Sequence, residues 1–179
     1  SIKLVTFKEM FKNAKENAKE STRRGSIESA FVNSTNSRPF GNSDKKVLEN
    51  KLGDIKTVYT TLKNKTGLDD NSIYGILGNI YVESGFNPTI EGDLNTAHHS
   101  IGLIQWRADR RDSLVDFAER NGKQLDNVQT QAEFLAEELK NKNVWTSGYD
   151  LGALKGAENP TLYFGRAFVR PNEKYADWN

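Results

Sequence analysis

The stretch DNSIYGILGNIYVESG, residues 70 to 85, constrains the fold of this chain more than any other. Ile73, Ile76, Leu77 and Ile80 recur at helical spacing, and Asp70 or Asn71 is a good N-cap. Gly85 supplies a stop, with Pro88 just beyond it. The segment reads as a buried helix, and such a helix has to be covered by others.

Its last turn carries a glutamate. Glu83 lies seven residues after Ile76 and three after Ile80, so it returns to nearly the same face. It therefore continues the apolar stripe. The helix dipole at a C-terminus disfavours negative charge, and burial disfavours it too. Both influences raise the pKa of a carboxylic acid, and an acid still protonated near neutral pH can donate to a leaving group. Position alone also allows a frayed last turn with Glu83 in solvent.

Other helices flank this one. Thr6 and Glu9 stand at capping-box spacing, and Phe7, Met10, Phe11, Ala14 and Ala18 predict an amphipathic helix over about residues 7 to 20. STRRGSIESAFVNSTNSRPFGNSD lacks a sustained period and reads as a long connector. From Asp44, the residues Leu48, Leu52, Ile55, Tyr59 and Leu62 mark one helix that Gly67 would end. Residues 88 to 106 change to turn chemistry and predict a small β-hairpin or ordered loop. Helices resume with Leu114, Phe117 and Ala118 before Gly122. Another, capped by Asp126, covers DNVQTQAEFLAEELK. In the last, Asn159 is the N-cap, Pro160 the first helical residue and Pro171 lies past the end.

The expected class is α+β, predominantly α, with one small hairpin or loop insert. The 179 residues suit one domain with an added arm, divided as 1–44 for the arm and 45–179 for the globular part. With 25 basic and 24 acidic side chains the net charge is +1, which gives no reason to expect nucleic acid as a partner. The absence of cysteine excludes disulfides, thiolate zinc sites and cysteine nucleophiles. No apolar run approaches the roughly 20 residues of a membrane-spanning helix, and no signal peptide is visible. The chain opens on Ser1 rather than Met, as expected of a piece of a longer protein.

Glu83-Ser84, followed downstream by GLIQW at 102 to 106, is similar to the lysozyme superfamily in its goose-type and transglycosylase-like branch. The fuller ordered set, GILGNIYVESGFNP, SIGLIQW and a late Arg170-Pro171, resembles the phage tail-tip lysozyme family over roughly residues 50 to 178. The resemblance implies a lysozyme-like fold. It also implies a glycosidase acting on the MurNAc–GlcNAc β-1,4 bond of peptidoglycan, with Glu83 as general acid. A glycosidic oxygen leaves poorly until protonated, and the transition state is oxocarbenium-like. Acids of this type titrate at roughly 6, a value carried over from lysozyme.

Other residues follow from the same resemblance. Asp93 is the first candidate for a second carboxylate and Glu91 the next, although Asp after Gly is also ordinary turn chemistry. Transglycosylase-type relatives work with one glutamate alone. Gly102, Leu103 and Gln105 would line the cleft, with the Gln105 amide available to a sugar acetamido or hydroxyl group. Ser84 would orient the acid or support the helix end. Trp106 is a sugar platform or core packing. Tyr163 and Arg170 are candidates to face the cleft, with core packing as the alternative for the tyrosine. His98 and His99 are adjacent, so on an extended chain they point apart, and no metal-binding spacing supports them. No metal or cofactor is expected. Arg107, Arg110 and Arg111 form a basic cluster that reads as a solvated helix start, or as a contact for anionic wall polymers.

The expected partners are peptidoglycan glycan strands and further modules of a longer tail or secretion protein. The expected location is a virion tail, or the outer, cell-wall side of a Gram-positive bacterium; phage tails and conjugative elements both use such domains. The alternatives are a lytic transglycosylase of the same fold, a non-catalytic wall-binding module, and a helical assembly domain.

Overall fold

The computed structural model describes residues 27–35, 38–92 and 99–169. The helix expected over residues 7 to 20, the candidates Asp93, His98 and Arg170, and Pro171 lie outside them. The described chain is mostly helical: α1 (Ile27–Ser34), α2 (Asn42–Asn50), α3 (Leu52–Thr66) and α4 (Asp70–Ser84) precede a two-stranded sheet. After β1 (Glu91–Gly92) and β2 (Ser100–Ile101) come α5 (Ala108–Arg120), α6 (Val128–Leu139), α7 (Leu151–Gly156) and α8 (Pro160–Phe164). A π-helical turn, Gly165–Val169, ends the described part.

Helix α4 is the hub, because its sequence leaves little polar surface. Ile73, Ile76, Leu77 and Ile80 are completely buried, and α1, α3 and α8 all pack on it. Two glycines allow the closest approaches. A Cβ on Gly78 would lie 2.6 Å from the Ala30 carbonyl oxygen of α1, and one on Gly75 would lie 2.7 Å from the Pro160–Thr161 peptide at α8. The helix starts at Asp70, one residue after its N-cap Asp69. Asp70 was itself a cap candidate; it instead accepts hydrogen bonds from Tyr59 Oη (2.6 Å) and Lys63 Nζ (2.9 Å).

Several expectations change. The stretch taken for a connector contains α1, whose Phe31 is fully buried beside Tyr81 and Phe86. Helix α1 packs against α4. Phe31 belongs to too short an apolar run to show a period. The single helix expected from Asp44 to Gly67 is two, broken at Lys51 (φ −109°, ψ 14°). Asp44 turns back to accept the Gly41 amide and the Arg38 guanidinium, which fixes the start of α2. Asn127, not Asp126, caps α6 by accepting Thr130 N at 3.1 Å. Helix α7, capped by Asp150, was not anticipated.

The hairpin is present. Glu91 pairs with Ile101 and Gly92 with Ser100, antiparallel. Ile101 pairs in turn with Trp106, through Ile101 N to Trp106 O and Trp106 N to Ile101 O, each 2.9 Å. This closes a tight turn, Gly102 to Gln105, within the hairpin or loop expected over residues 88 to 106.

Candidate active site

The site is built where the end of α4 meets the turn 102–105. Gly85, in the left-handed region at φ 60°, caps α4 by donating its N–H to Tyr81 O. Phe86 is also left-handed, at φ 65°, and is completely buried. A bulky residue in that region is strained, and it persists only where packing dictates it. Here the Phe86 ring anchors the chain reversal after the helix against Phe31.

Glu83 is partly buried, and no described residue hydrogen-bonds or ion-pairs with it. Burial alone pushes its carboxyl from an ordinary 4.5 up to about 6. This is the direction anticipated for a residue continuing the apolar stripe, and loss of hydration is its cause.

Ser84, expected to orient the acid or support the helix end, faces inward. Its hydroxyl is 2.8 Å from the Leu103 carbonyl oxygen and 3.1 Å from Ile80 O. It is a clasp between helix and turn, with no free face for a sugar. Gly102 has a physical reason to be glycine twice over. Its φ is +81°, and a Cβ would fall 2.6 Å from Gln131 Oε1. Gln105 is left-handed too, at φ 58°, and its Nε2 donates to Gly102 O (3.0 Å) and Ile90 O (3.3 Å). The amide donors thus hold the hairpin, and no described group donates to Oε1. Leu103 and Ile104 are buried in the core between them.

Trp106 is 1% exposed; its indole N–H donates to Glu138 Oε1 at 2.7 Å and its ring packs edge-on against Phe134. The enclosed ring offers no face to a sugar, so of the two roles weighed for it the structure carries packing. Tyr163 packs with Trp145 and Tyr149, and its hydroxyl accepts the Asp150 amide at 3.3 Å. These contacts place it at the start of α7. Glu91 is exposed on β1, 3.9 Å from His99 Nε2. His99 in turn lies against Arg111, whose Nη1 is 3.2 Å from both ring nitrogens.

The arginines are not one solvated cluster. Arg110 is inward, with Nε 2.8 Å from Glu138 Oε2, Nη1 donating to Phe168 O at 2.8 Å, and its guanidinium 4.7 Å above the Phe168 ring. Two residues that sequence reasoning passed over complete the support. Gln131 is fully buried and Glu138 is 5% exposed, both on the inner face of α6. Spaced seven apart within an otherwise apolar stripe, with Leu135 between them, they carried the same signal that drew attention to Glu83.

A helix ending in a partly buried carboxylic acid, clasped to a hairpin turn within a mainly helical body, is a lysozyme-like α+β arrangement. Residues 54–177 match the family described as phage tail lysozyme, and the chain belongs to that family. It is also similar to Morphogenesis protein 1 of Bacillus phage B103, 33% identical over 113 residues. That match covers 59% of this chain and 30% of the relative, so the chain accounts for under a third of the phage protein's length. No helix among the described residues is long and apolar enough to cross a membrane.

Proposed function

We propose that this domain is a muramidase that cleaves the MurNAc–GlcNAc β-1,4 bond with Glu83 as general acid, opening the wall locally as a phage tail or mobile element enters. One observation carries the reading: at a clasped helix end, burial holds Glu83 up at about 6, with no charged partner among the described residues. In that state its carboxyl proton passes to the glycosidic oxygen as the C1–O bond breaks. The departing sugar leaves as an alcohol and an oxocarbenium-like centre remains. The resulting carboxylate then takes a proton from the attacking water, which restores the acid.

The second carboxylate, which would steady the cation or activate water, is Asp93 or, failing that, Glu91. A single-glutamate route is the alternative. The muramic 6-hydroxyl then attacks C1 in place of water and closes an anhydro ring, with Glu83 again receiving the proton. The Gln105 Oε1 atom is the group this reading assigns to a sugar hydroxyl or acetamido N–H, while Gly102 serves by shaping the turn. The relative's source, a Bacillus phage, supports a Gram-positive wall as target and a virion tail or the outer wall face as location. Its greater length supports further modules beside this domain.

Mass spectrometry of digested peptidoglycan tests the reaction: reducing muramic ends are expected, and anhydro ends would transfer the assignment to a lytic transglycosylase. A zymogram comparing the parent with Glu83→Gln tests the residue. Equal clearing would leave a non-catalytic wall-binding module as the better account.

A further inference from the structure

Gln131 lies completely buried in α6, remote in sequence from the acid and its turn, yet it holds three backbone segments at once. Its Oε1 accepts the Leu103 amide at 2.9 Å. Its Nε2 donates to Pro88 O, just past the acid helix, and to Leu125 O, in the loop before α6, each at 2.9 Å. One acceptor and two donors in a plane are what a primary amide offers. A glutamate there could not donate to the two carbonyls, and a methionine could make none of the three bonds.

The peptide groups around Leu103 are thereby gripped from both sides. Gln131 takes its N–H, while the Ser84 hydroxyl, next to Glu83, takes its C=O. Gly102 lacks a Cβ where Gln131 Oε1 needs the space. We infer that Gln131 is a positioning residue for the reaction: it seats the 102–105 turn against the end of α4, and so keeps water away from the Glu83 carboxyl. The inference rests on the general-acid role proposed above. No charged group from any described element pairs with Glu83, so its protonation follows how well the site stays dry.

The test uses the full chain carrying Gln131→Met or Gln131→Glu, with purified peptidoglycan as substrate and folding checked by circular dichroism. In the parent, activity should fall as pH rises through about 6. In both variants that basic limb should move toward 4.5, the ordinary glutamate value, as the turn lifts and water enters. kcat/KM should drop by about 10²-fold, the usual effect of misplacing a site by an ångström. Activity that declines only with the folded fraction, while the limb stays in place, would overturn the inference. Should neither variant fold, Ser84→Ala releases the next peptide group, on the carbonyl side of Leu103, and an unmoved limb there would count equally against it. Glu83→Gln run alongside separates the two ideas. Clearing by that variant sinks the general-acid reading, whereas its inactivity together with unmoved limbs elsewhere sinks this one alone.

Discussion

Replacing Glu83 by glutamine should remove activity and, at neutral pH, make the protein more stable. The sign follows from linkage. Between 4.5 and about 6 the folded chain holds a proton at Glu83 that the unfolded chain has released. Stability therefore falls as pH rises across that window, and above it the fold carries the full penalty of a poorly hydrated carboxylate. At about 1.36 kcal/mol per pKa unit, the displacement corresponds to about 2 kcal/mol. Glutamine carries no charge at any pH and escapes the penalty. In a domain of this size the gain is about 4–8 °C in melting temperature. Urea denaturation of parent and variant, at about pH 4 and again at about pH 7.5, measures it as a difference of differences. Steric and hydrogen-bonding effects of the amide enter at both pH values and cancel. The variant should show its advantage only at the higher pH. An advantage independent of pH, or none at either, would mean that Glu83 is as well hydrated in the fold as in the unfolded chain, and the reasoning about the acid would fail with it.

Three further outcomes follow from the packing. Gly102→Ala forces a side chain into the left-handed region and against Gln131; it should destabilise by about 2 kcal/mol or more, seen as a lower urea midpoint. Glu138→Gln breaks a buried pair with Arg110 and weakens the bond to the Trp106 indole; a loss of about 3–5 kcal/mol is expected by the same measurement. Asp44→Asn should weaken the fold near neutral pH but leave it no weaker than the parent in acid. Burial pushes the Asp44 carboxyl up, but hydrogen bonds from Arg38, Tyr81 and the Gly41 amide outweigh it and hold the group at about 2. That stabilisation is complete above 3.8 and disappears as pH falls toward 2, so parent and variant curves should converge there.

How far the sequence reveals this molecule depends on what each residue obeys. Glu83 stood out because helical periodicity is local: Ile76, Ile80 and Glu83 share a face whatever else the chain does. Gly85 likewise announced the end of α4, since few residues tolerate a left-handed cap. The GLIQW segment was recognisable as a motif, but its shape was not. That Gly102 to Gln105 forms a turn, with Leu103 inside and the Gln105 amide turned back on its own hairpin, depends on α4 and α6 arriving from elsewhere. Trp106 shows the same limit, because its partner Glu138 lies 32 residues on. Helix α1 escaped notice because its neighbours in sequence are polar, and only contact with α4 makes Phe31 a core residue. The break at Lys51 was equally hidden, since the apolar positions keep their rhythm across it.

The seating of α1 on Gly78 bears on how the polypeptide can be shortened. Family similarity starts at residue 54, which invites a minimal fragment cut there. Such a cut would strip the bed from Tyr81 and Phe86 and leave a greasy trench along the rod that bears the acid. A fragment opening at Ile27 keeps that trench filled; one opening at Asp54 should clump in solution before it can be assayed.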